Sequence, residues 1–426
     1  MDQFKIVGGN RLLGEVDVYG VKNGILPIMA ASILGRKGET ILRNVPNLRD
    51  VRTMSKVLEC LGAKINYDSV TRVWTANCEN INKYLAPYEF VKQMRASFLV
   101  LGPTLSRFGK VEISLPGGCA IGARSVNMHI EGLKKMGARV SEREGLLVIE
   151  AKKLKGVDFY FDFPTHTGTE NLIMAACMAK GITNLYNASC EPEVVDLVVL
   201  LNKMGAKISG AGTPVISVEG VSGLNGIEYD ALPSRIECSF FMVAAAITKG
   251  DLKINNVNLQ HIGIVADKLR RIGVDINQDG KNSIRVKSTN RLKAINLTTW
   301  PFPGFPTDFQ AQMMALLALS NGTSIVKETI FENRFMHVNE LNRLGAEISV
   351  HLDEAVVKGV KNLKGAPVMA SDLQAGAGLV LAALAANGAS TVDRVYHIDR
   401  GYETIEKRLL LLGASIERFN PVKNGG

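Results

Sequence analysis

No apolar run in this chain exceeds about ten to twelve residues, too short to cross a bilayer as a helix. The start, Met1-Asp-Gln-Phe-Lys5, lacks the basic opening and apolar segment of a secretory signal, so a cytoplasmic protein without a membrane partner is expected. The six cysteines, Cys60, Cys78, Cys119, Cys177, Cys190 and Cys238, contain no CxxC pair and no Cys/His cluster. That pattern excludes a disulfide scaffold and a structural zinc site. Cys60 and Cys177 fall on apolar, helix-like stretches and read as inert core. There is no Lys/Arg-rich run and no nucleic-acid motif, so the net charge of +9 does not imply nucleic-acid binding. A diffuse basic excess also suits a cleft that gathers small anions.

What is present is a soluble globular composition, 46% hydrophobic and 21% charged, in 426 residues. Such a length exceeds one core and predicts at least two domains. The chain also repeats itself. A helix end followed by a strand recurs at Leu61-Gly62-Ala63, Met136-Gly137-Ala138, Met204-Gly205-Ala206, Ile272-Gly273-Val274, Leu344-Gly345-Ala346 and Leu412-Gly413-Ala414. A glycine at such a point ends a helix in a left-handed cap and releases the chain into a strand. An earlier helix in each copy is apolar nearly all round, as in Phe240-Phe-Met-Val-Ala-Ala-Ala-Ile247, and is therefore expected to be buried. Glycines Gly109, Gly181, Gly250, Gly322 and Gly388 stop these helices.

Each copy reads strand–helix–strand–helix–strand, an α/β unit with buried helices and sheets outside. Six copies split into two lobes of three, with a seam near Tyr229–Ser234 and an active site in the cleft between the lobes. We expect 1–21 plus 234–426 to form the first lobe and 22–233 the second. The first strand, Phe4 to Val18, is free to complete either half.

Comparing the copies shows where chemistry is carried. Before the buried helix they hold Lys22-Asn23, Arg95, Thr169-Glu-Asn171, Arg235, Asp308 and Asp372 to Gln374. Before the second helix they hold Asp50, Cys119 to Arg124, Glu191 with Glu193, His261, Arg334, and Asp399-Arg400. Lys22, Arg95, Arg124, Arg334 and Arg400 form a cationic set fit for phosphates and carboxylates. Arg95 and Arg235 read equally well as interhelical ion pairs. Asp372 reads as a helix cap, His129 as structural, and Asp399 as a brace for Arg400. Asp308, in a proline-stiffened loop, is either a cap or a carboxylate able to accept a hydroxyl proton. Cys119 sits in Pro116-Gly-Gly-Cys-Ala-Ile-Gly-Ala-Arg124, between a strand and a helix start. There the helix field and Arg124 favour a reactive thiol.

Six segments taken together resemble the UDP-N-acetylglucosamine 1-carboxyvinyltransferase family. They are Val21-Lys-Asn-Gly24, Met94-Arg-Ala-Ser97, the Cys119 stretch, Phe305-Pro-Thr-Asp-Phe-Gln-Ala-Gln312, Phe331-Glu-Asn-Arg-Phe-Met-His-Val338 and Tyr396-His-Ile-Asp-Arg-Gly-Tyr-Glu403. The likeness runs from Phe4 to Arg418. It implies a two-domain inside-out α/β barrel, the enolpyruvyl transferase fold, with six repeats, three per domain. It also implies an enzyme of peptidoglycan synthesis that needs no metal or organic cofactor. Its substrates would be phosphoenolpyruvate and UDP-N-acetylglucosamine.

By resemblance Cys119 donates a proton to C3 of phosphoenolpyruvate and is the site of a fosfomycin adduct, and Asp308 holds and deprotonates the attacking hydroxyl. Lys22, Arg124 and Arg400 match phosphoenolpyruvate positions, with Asn23 close by. Arg95, Arg124, Ser125, Val126, Asn127, Met128, Asp308 and Ile330 match UDP-sugar positions, and Arg334 joins the cationic set. The sequence departs from the family pattern at Gln374, where arginine is common, at His166-Thr167-Gly168, where Ser-Val-Gly is common, and at Asn127, where aspartate is frequent. A 5-enolpyruvylshikimate 3-phosphate synthase-like transferase and a weakly active UDP-sugar-binding regulator are the alternatives.

Overall fold

The computed structural model describes residues 2–115, 126–288 and 292–421. Cys119, Arg124 and Ser125 lie outside the described residues.

The third copy shows how a repeat is built. A short strand (Asp158–Tyr160) leads into a buried helix (His166–Ala176) and a second strand (Ile182–Tyr186). A second helix (Pro192–Lys203) and a hairpin of two strands (Lys207–Ser209, Val215–Glu219) complete it. The first two strands pair in parallel and the others antiparallel, giving a four-stranded sheet. The repeat thus has one strand more than the sequence reading allowed. The hairpin return is short, and its turn hides in a polar stretch, Gly210-Ala-Gly-Thr-Pro214. Six such sheets occur among the described residues.

All six repeating glycines cap helices as expected, with φ between 89° (Gly345) and 110° (Gly273). An L side chain there would be strained, so these positions punctuate the chain. The second series is less uniform. Gly109, Gly181, Gly322 and Gly388 also take positive φ, but in the fourth copy Lys249 does so, with φ 54°, in place of Gly250. Gly250 is needed for space instead, since a Cβ there would lie 2.3 Å from the Leu12 carbonyl oxygen.

The described residues form two compact units, one from 2–19 and 233–421, the other from 20–115 and 126–232. Each contains three sheets around its own core. In the first unit the helices Arg235–Ile247, Gln310–Leu317 and Leu373–Ala385 are buried along nearly their whole length. Phe240, Phe241, Met313, Leu316 and Leu381 belong to that core. In the second unit Lys22–Ala31, Leu101–Phe108 and His166–Ala176 occupy the same place, with Ile28, Met29, Leu101 and Ile173 in the core. The strands bury alternate residues and turn the others to solvent, as in Val215–Glu219. Helices inside and sheets outside make each unit an inside-out α/β barrel of three repeats.

The expected single first strand is two strands, broken at Gly8 and Gly9. Gln3–Val7 closes the last sheet, antiparallel to both Ala389–Asp393 and Ser415–Phe419. Leu13–Asp17 runs parallel to Asp251–Asn255 and opens the fourth repeat. In return Glu228–Asp230 runs parallel to Glu39–Arg43 and opens the first. The chain thereby ties its two ends into one unit. No described helix is long and apolar enough to cross a membrane.

Candidate active site

In the second unit Lys22 is the first residue of a buried helix whose N-cap, Val21, offers no side-chain acceptor. The leading N–H groups of such a helix favour an anion. Its Nζ stands 3.9 Å from Oδ2 of Asp50, a buried carboxylate in the helix Arg49–Leu61. A Cβ on Gly24, one residue beyond Asn23, would crowd Val21 Cγ1 at 2.7 Å, with Glu193 Cγ and Asp196 Oδ2 in ordinary contact at 3.5 and 3.7 Å. Burial pushes the Asp196 carboxyl up to about 6, against the opposing hydrogen bond donated by Tyr229 at 2.5 Å. Two buried acids, Glu193 and Asp196, thus lie beside Gly24 in the first turn of this helix.

Arg95 opens the 3-10 segment Arg95–Val100. Val126 is buried at the cap of the helix Asn127–Lys135, which brings Asn127 and Met128 into its first turn. On the same turn His129 is structural, as the sequence suggested. Asn171 and its Nδ1 are 3.0 Å apart, and Phe98 meets the ring edge-on at 5.3 Å. Burial, then the charge of Arg95, lowers the His129 pKa to about 3, so the ring is neutral.

His166 begins the third buried helix, capped by Thr165. Its Nε2 lies 3.0 Å from Oε1 of Glu170, one turn on and 1% exposed, at an angle off that of a hydrogen bond. Burial works against a charged His166. The Glu170 carboxylate, seconded by Glu193 and Glu191, outweighs it and lifts the pKa to about 9.

In the first unit Asp308 sits in the turn Thr307–Phe309 that enters the buried helix Gln310–Leu317. Its Oδ1 accepts from Arg334 Nη2 at 2.9 Å. Arg334 has only 3% of its side chain exposed, while Asp308 keeps 30%. The guanidinium also lies 5.5 Å from the Phe331 ring centroid. The arginine is thus largely enclosed and the carboxylate is the partner left reachable. Ile330 is fixed through its amide, which donates to Glu328 Oε1 at 2.9 Å.

Behind this pair Gln374 is 6% exposed, with Oε1 accepting from Gln312 Nε2 at 2.7 Å and from Tyr402 Oη at 3.0 Å. Its amide oxygen thus faces two buried side chains. Asp372 caps its helix through the amides of Gln374 and Ala375, as expected. Arg400 ends the segment Val395–Arg400. Both oxygens of its neighbour Asp399 accept from Arg418, at 2.5 and 3.0 Å. Arg418 in turn reaches Glu406, which ties this segment to the last strand, Ser415–Phe419. Arg235 lies over Phe302 at 5.7 Å.

The described cysteines are all free thiols. Cys177 is buried core, its thiol pushed up to about 12 by burial. Cys60 is half-exposed on the helix Arg49–Leu61, which corrects its reading as core. Sequence reasoning gave no role to Glu328, Gln312 or Tyr402. Glu328 left only a faint trace, a lone acid directly after the strand Thr323–Lys327.

Residues 6–409 match the family model described as EPSP synthase (3-phosphoshikimate 1-carboxyvinyltransferase). The chain is 50% identical over 420 residues to the UDP-N-acetylglucosamine 1-carboxyvinyltransferase of Thermodesulfovibrio yellowstonii, covering 98% of this chain and 100% of that one. It is 52% identical to the protein of the same name from Geotalea uraniireducens, covering 98% and 99%. Among solved structures, the enolpyruvyl transferase NikO from Streptomyces tendae superposes with a TM-score of 0.89 at 23% identity over 98% of each chain. EPSP synthase from Acinetobacter baumannii gives 0.77 at 18% identity, over 99% of this chain and 100% of that one.

Proposed function

Because the chain belongs to the UDP-N-acetylglucosamine 1-carboxyvinyltransferase family, within the wider EPSP synthase family, we propose that it carries out the reaction of that name. The enolpyruvyl group of phosphoenolpyruvate passes to the 3-hydroxyl of UDP-N-acetylglucosamine and phosphate is released. This would be the committed opening step of peptidoglycan synthesis, with consequences for cell shape and division, and it would run in the cytoplasm. The observation that carries the reading is identity at half of all positions over the full length of relatives bearing that name.

The chemistry assigns each residue a task. Asp308 accepts the proton of the 3-hydroxyl as its oxygen attacks C2 of phosphoenolpyruvate. Cys119 gives a proton to C3, completing a tetrahedral intermediate. That intermediate then loses a C3 proton and its C–O bond to phosphorus, leaving the enolpyruvyl ether and inorganic phosphate. Lys22, Arg124 and Arg400 hold the phosphate and carboxylate of phosphoenolpyruvate, with Asn23 beside them. Arg95, Ser125, Val126, Asn127, Met128 and Ile330 hold the nucleotide sugar. Two substrates bearing about five negative charges at neutral pH require such a set of cations. The partly exposed Asp308, with its other side fixed by Arg334, supports the base assignment. The tasks divide along the chain. Residues 22–233 supply Lys22, Arg95 and the Cys119 loop. Residues 1–21 with 234–426 supply Asp308, Arg334 and Arg400.

The test is phosphate release from phosphoenolpyruvate with UDP-N-acetylglucosamine or with shikimate 3-phosphate as acceptor. Turnover with the nucleotide sugar alone is expected. Turnover with shikimate 3-phosphate alone would assign the chain to the sister activity of the fold. Nucleotide-sugar binding without phosphate release would make it a regulator.

A further inference from the structure

Glu328 follows the strand Thr323–Lys327 and is buried, with 4% of its surface exposed. Its carboxylate collects four donors. Oε1 accepts from the Thr299 hydroxyl at 2.9 Å, the Ile330 amide at 2.9 Å and the Phe331 amide at 3.3 Å. Oε2 accepts from the Thr307 hydroxyl at 2.9 Å. Thr299 is locked in turn, since its hydroxyl accepts from the Thr329 amide at 2.9 Å and its carbonyl from the Thr329 hydroxyl at 2.6 Å. Two segments therefore meet on one side chain. One runs from Thr299 to Asp308 and the other from Glu328 to Arg334, the residue paired with Asp308.

A buried carboxylate is costly unless its lone pairs are filled, and here charge-assisted bonds fill them. Sheet formation needs none of these side-chain bonds, because the strand pairs through its backbone and Glu328 adds only its amide, which donates to the Asp353 carbonyl at 2.8 Å. The bonds serve the loops. Thr307 immediately precedes Asp308, so its hydroxyl fixes the turn that aims the carboxylate, while the amides of Ile330 and Phe331 fix the segment that delivers Arg334.

We propose that Glu328 is a positioning residue for Asp308, holding the base and its arginine partner in register for attack on phosphoenolpyruvate; this rests on the functional reading above. It touches neither substrate and acts through Thr307 and the 329–331 backbone. Displacement of a reacting group by about 1 Å costs on the order of 100-fold in rate, so the tether is felt in turnover.

Two measurements test it. In steady-state assays with phosphoenolpyruvate and UDP-N-acetylglucosamine, Glu328→Ala and Thr307→Val are expected to lower kcat by about 10- to 100-fold, with KM for phosphoenolpyruvate changed by less than about threefold. Thr307→Ser and Glu328→Gln, which keep a hydrogen bond across the gap, restore most of that loss. Glu328→Ala combined with Thr307→Val is no worse than Glu328→Ala alone. Wild-type kcat in Thr307→Val, no rescue by Thr307→Ser, or additive losses would overturn the proposal. Hydrogen exchange on the substrate-free protein reads the tether without catalysis. Amides 330 and 331 are expected to exchange faster in Glu328→Ala, and unchanged rates would equally overturn it. A wild-type protein that releases no phosphate would sink the functional reading alone, since the exchange measurement still decides the tether. Should Glu328→Ala fail to fold, the Thr307 pair carries the test.

Discussion

Asp308 accepts a 2.9 Å hydrogen bond from Arg334, and the two partners differ tenfold in exposure, 30% against 3% of the side chain. The enclosed cation is placed to orient, and the open carboxylate is the one free to serve as the proposed base. This asymmetry separates two substitutions usually treated alike. Asp308→Asn keeps an acceptor for Arg334 and removes only the basic oxygen. Asp308→Ala also leaves a buried guanidinium without its acceptor, a cost of about 1–3 kcal/mol.

Both variants are therefore expected to lose turnover by at least about 100-fold, but only Asp308→Ala loses stability as well. Phosphate release and urea denaturation, measured on the same samples, check this. Equal stability of the two variants would show that the pair contributes no orientation worth measuring.

The thiols make a second contrast. Burial is the leading cause that raises Cys60, Cys78, Cys177, Cys190 and Cys238, so none of the five is a ready thiolate at neutral pH. Cys119 is the remaining thiol. Treatment with fosfomycin in the presence of UDP-N-acetylglucosamine is expected to add one adduct, at Cys119, by peptide mass spectrometry. In parallel, Cys119→Ala and Cys119→Ser are expected to lose turnover, while Cys119→Asp, another acid, keeps part of it. Full activity in Cys119→Ala would remove the proton-donor role.

Much of this was legible in the sequence because glycine and periodicity act locally. The six capping glycines needed only a left-handed φ, and a helix apolar on every side has nowhere to go but inward. Asp308, Lys22 and Arg95 were likewise visible as polar residues at the starts of buried helices. Long-range pairings were not. Asp399 takes two hydrogen bonds from Arg418 in the last strand, and Gln3–Val7 closes a sheet with strands on either side of residue 400. Glu328 was invisible for the same reason, since two of its four donors, the hydroxyls of Thr299 and Thr307, reach it only once two segments are folded together. Cys60 was misread because a helix period marks a face without saying how deeply it sinks.

Two histidines predict opposite dependences on pH. His129 is held far below the ordinary 6.5, to about 3, by burial and Arg95. Between those values the unfolded chain binds a proton that the folded chain refuses, so stability falls as pH falls through that window. His337, lowered by burial to about 4, adds to the same loss. His166 is raised to about 9, so its stabilisation is complete below 6.5 and is lost as pH rises through 9. Denaturation curves across about pH 5 to 10 are expected to show His166→Ser with a flatter alkaline fall than wild type. An unchanged alkaline slope would dismiss the His166–Glu170 pair as a source of stability.

Gln374 stands where arginine is common in the family, and the obvious inference is a lost ligand contact. The structure argues otherwise. Its Oε1 accepts from both Gln312 and Tyr402, and those two are themselves linked at 3.1 Å, closing a buried three-membered network. Arginine has no acceptor. Placed here, it would confront the donors of Gln312 and Tyr402 with a third donor and bury a charge among groups at most 6% exposed. Gln374→Arg is therefore expected to lose about 1–3 kcal/mol of stability with no fall in KM for phosphoenolpyruvate. Gln374→Glu keeps the two acceptor bonds and is expected to retain more stability than Gln374→Arg. A Gln374→Arg protein as stable as wild type, with a lower KM, would show that the side chain can swing out to the substrate and that the network is dispensable.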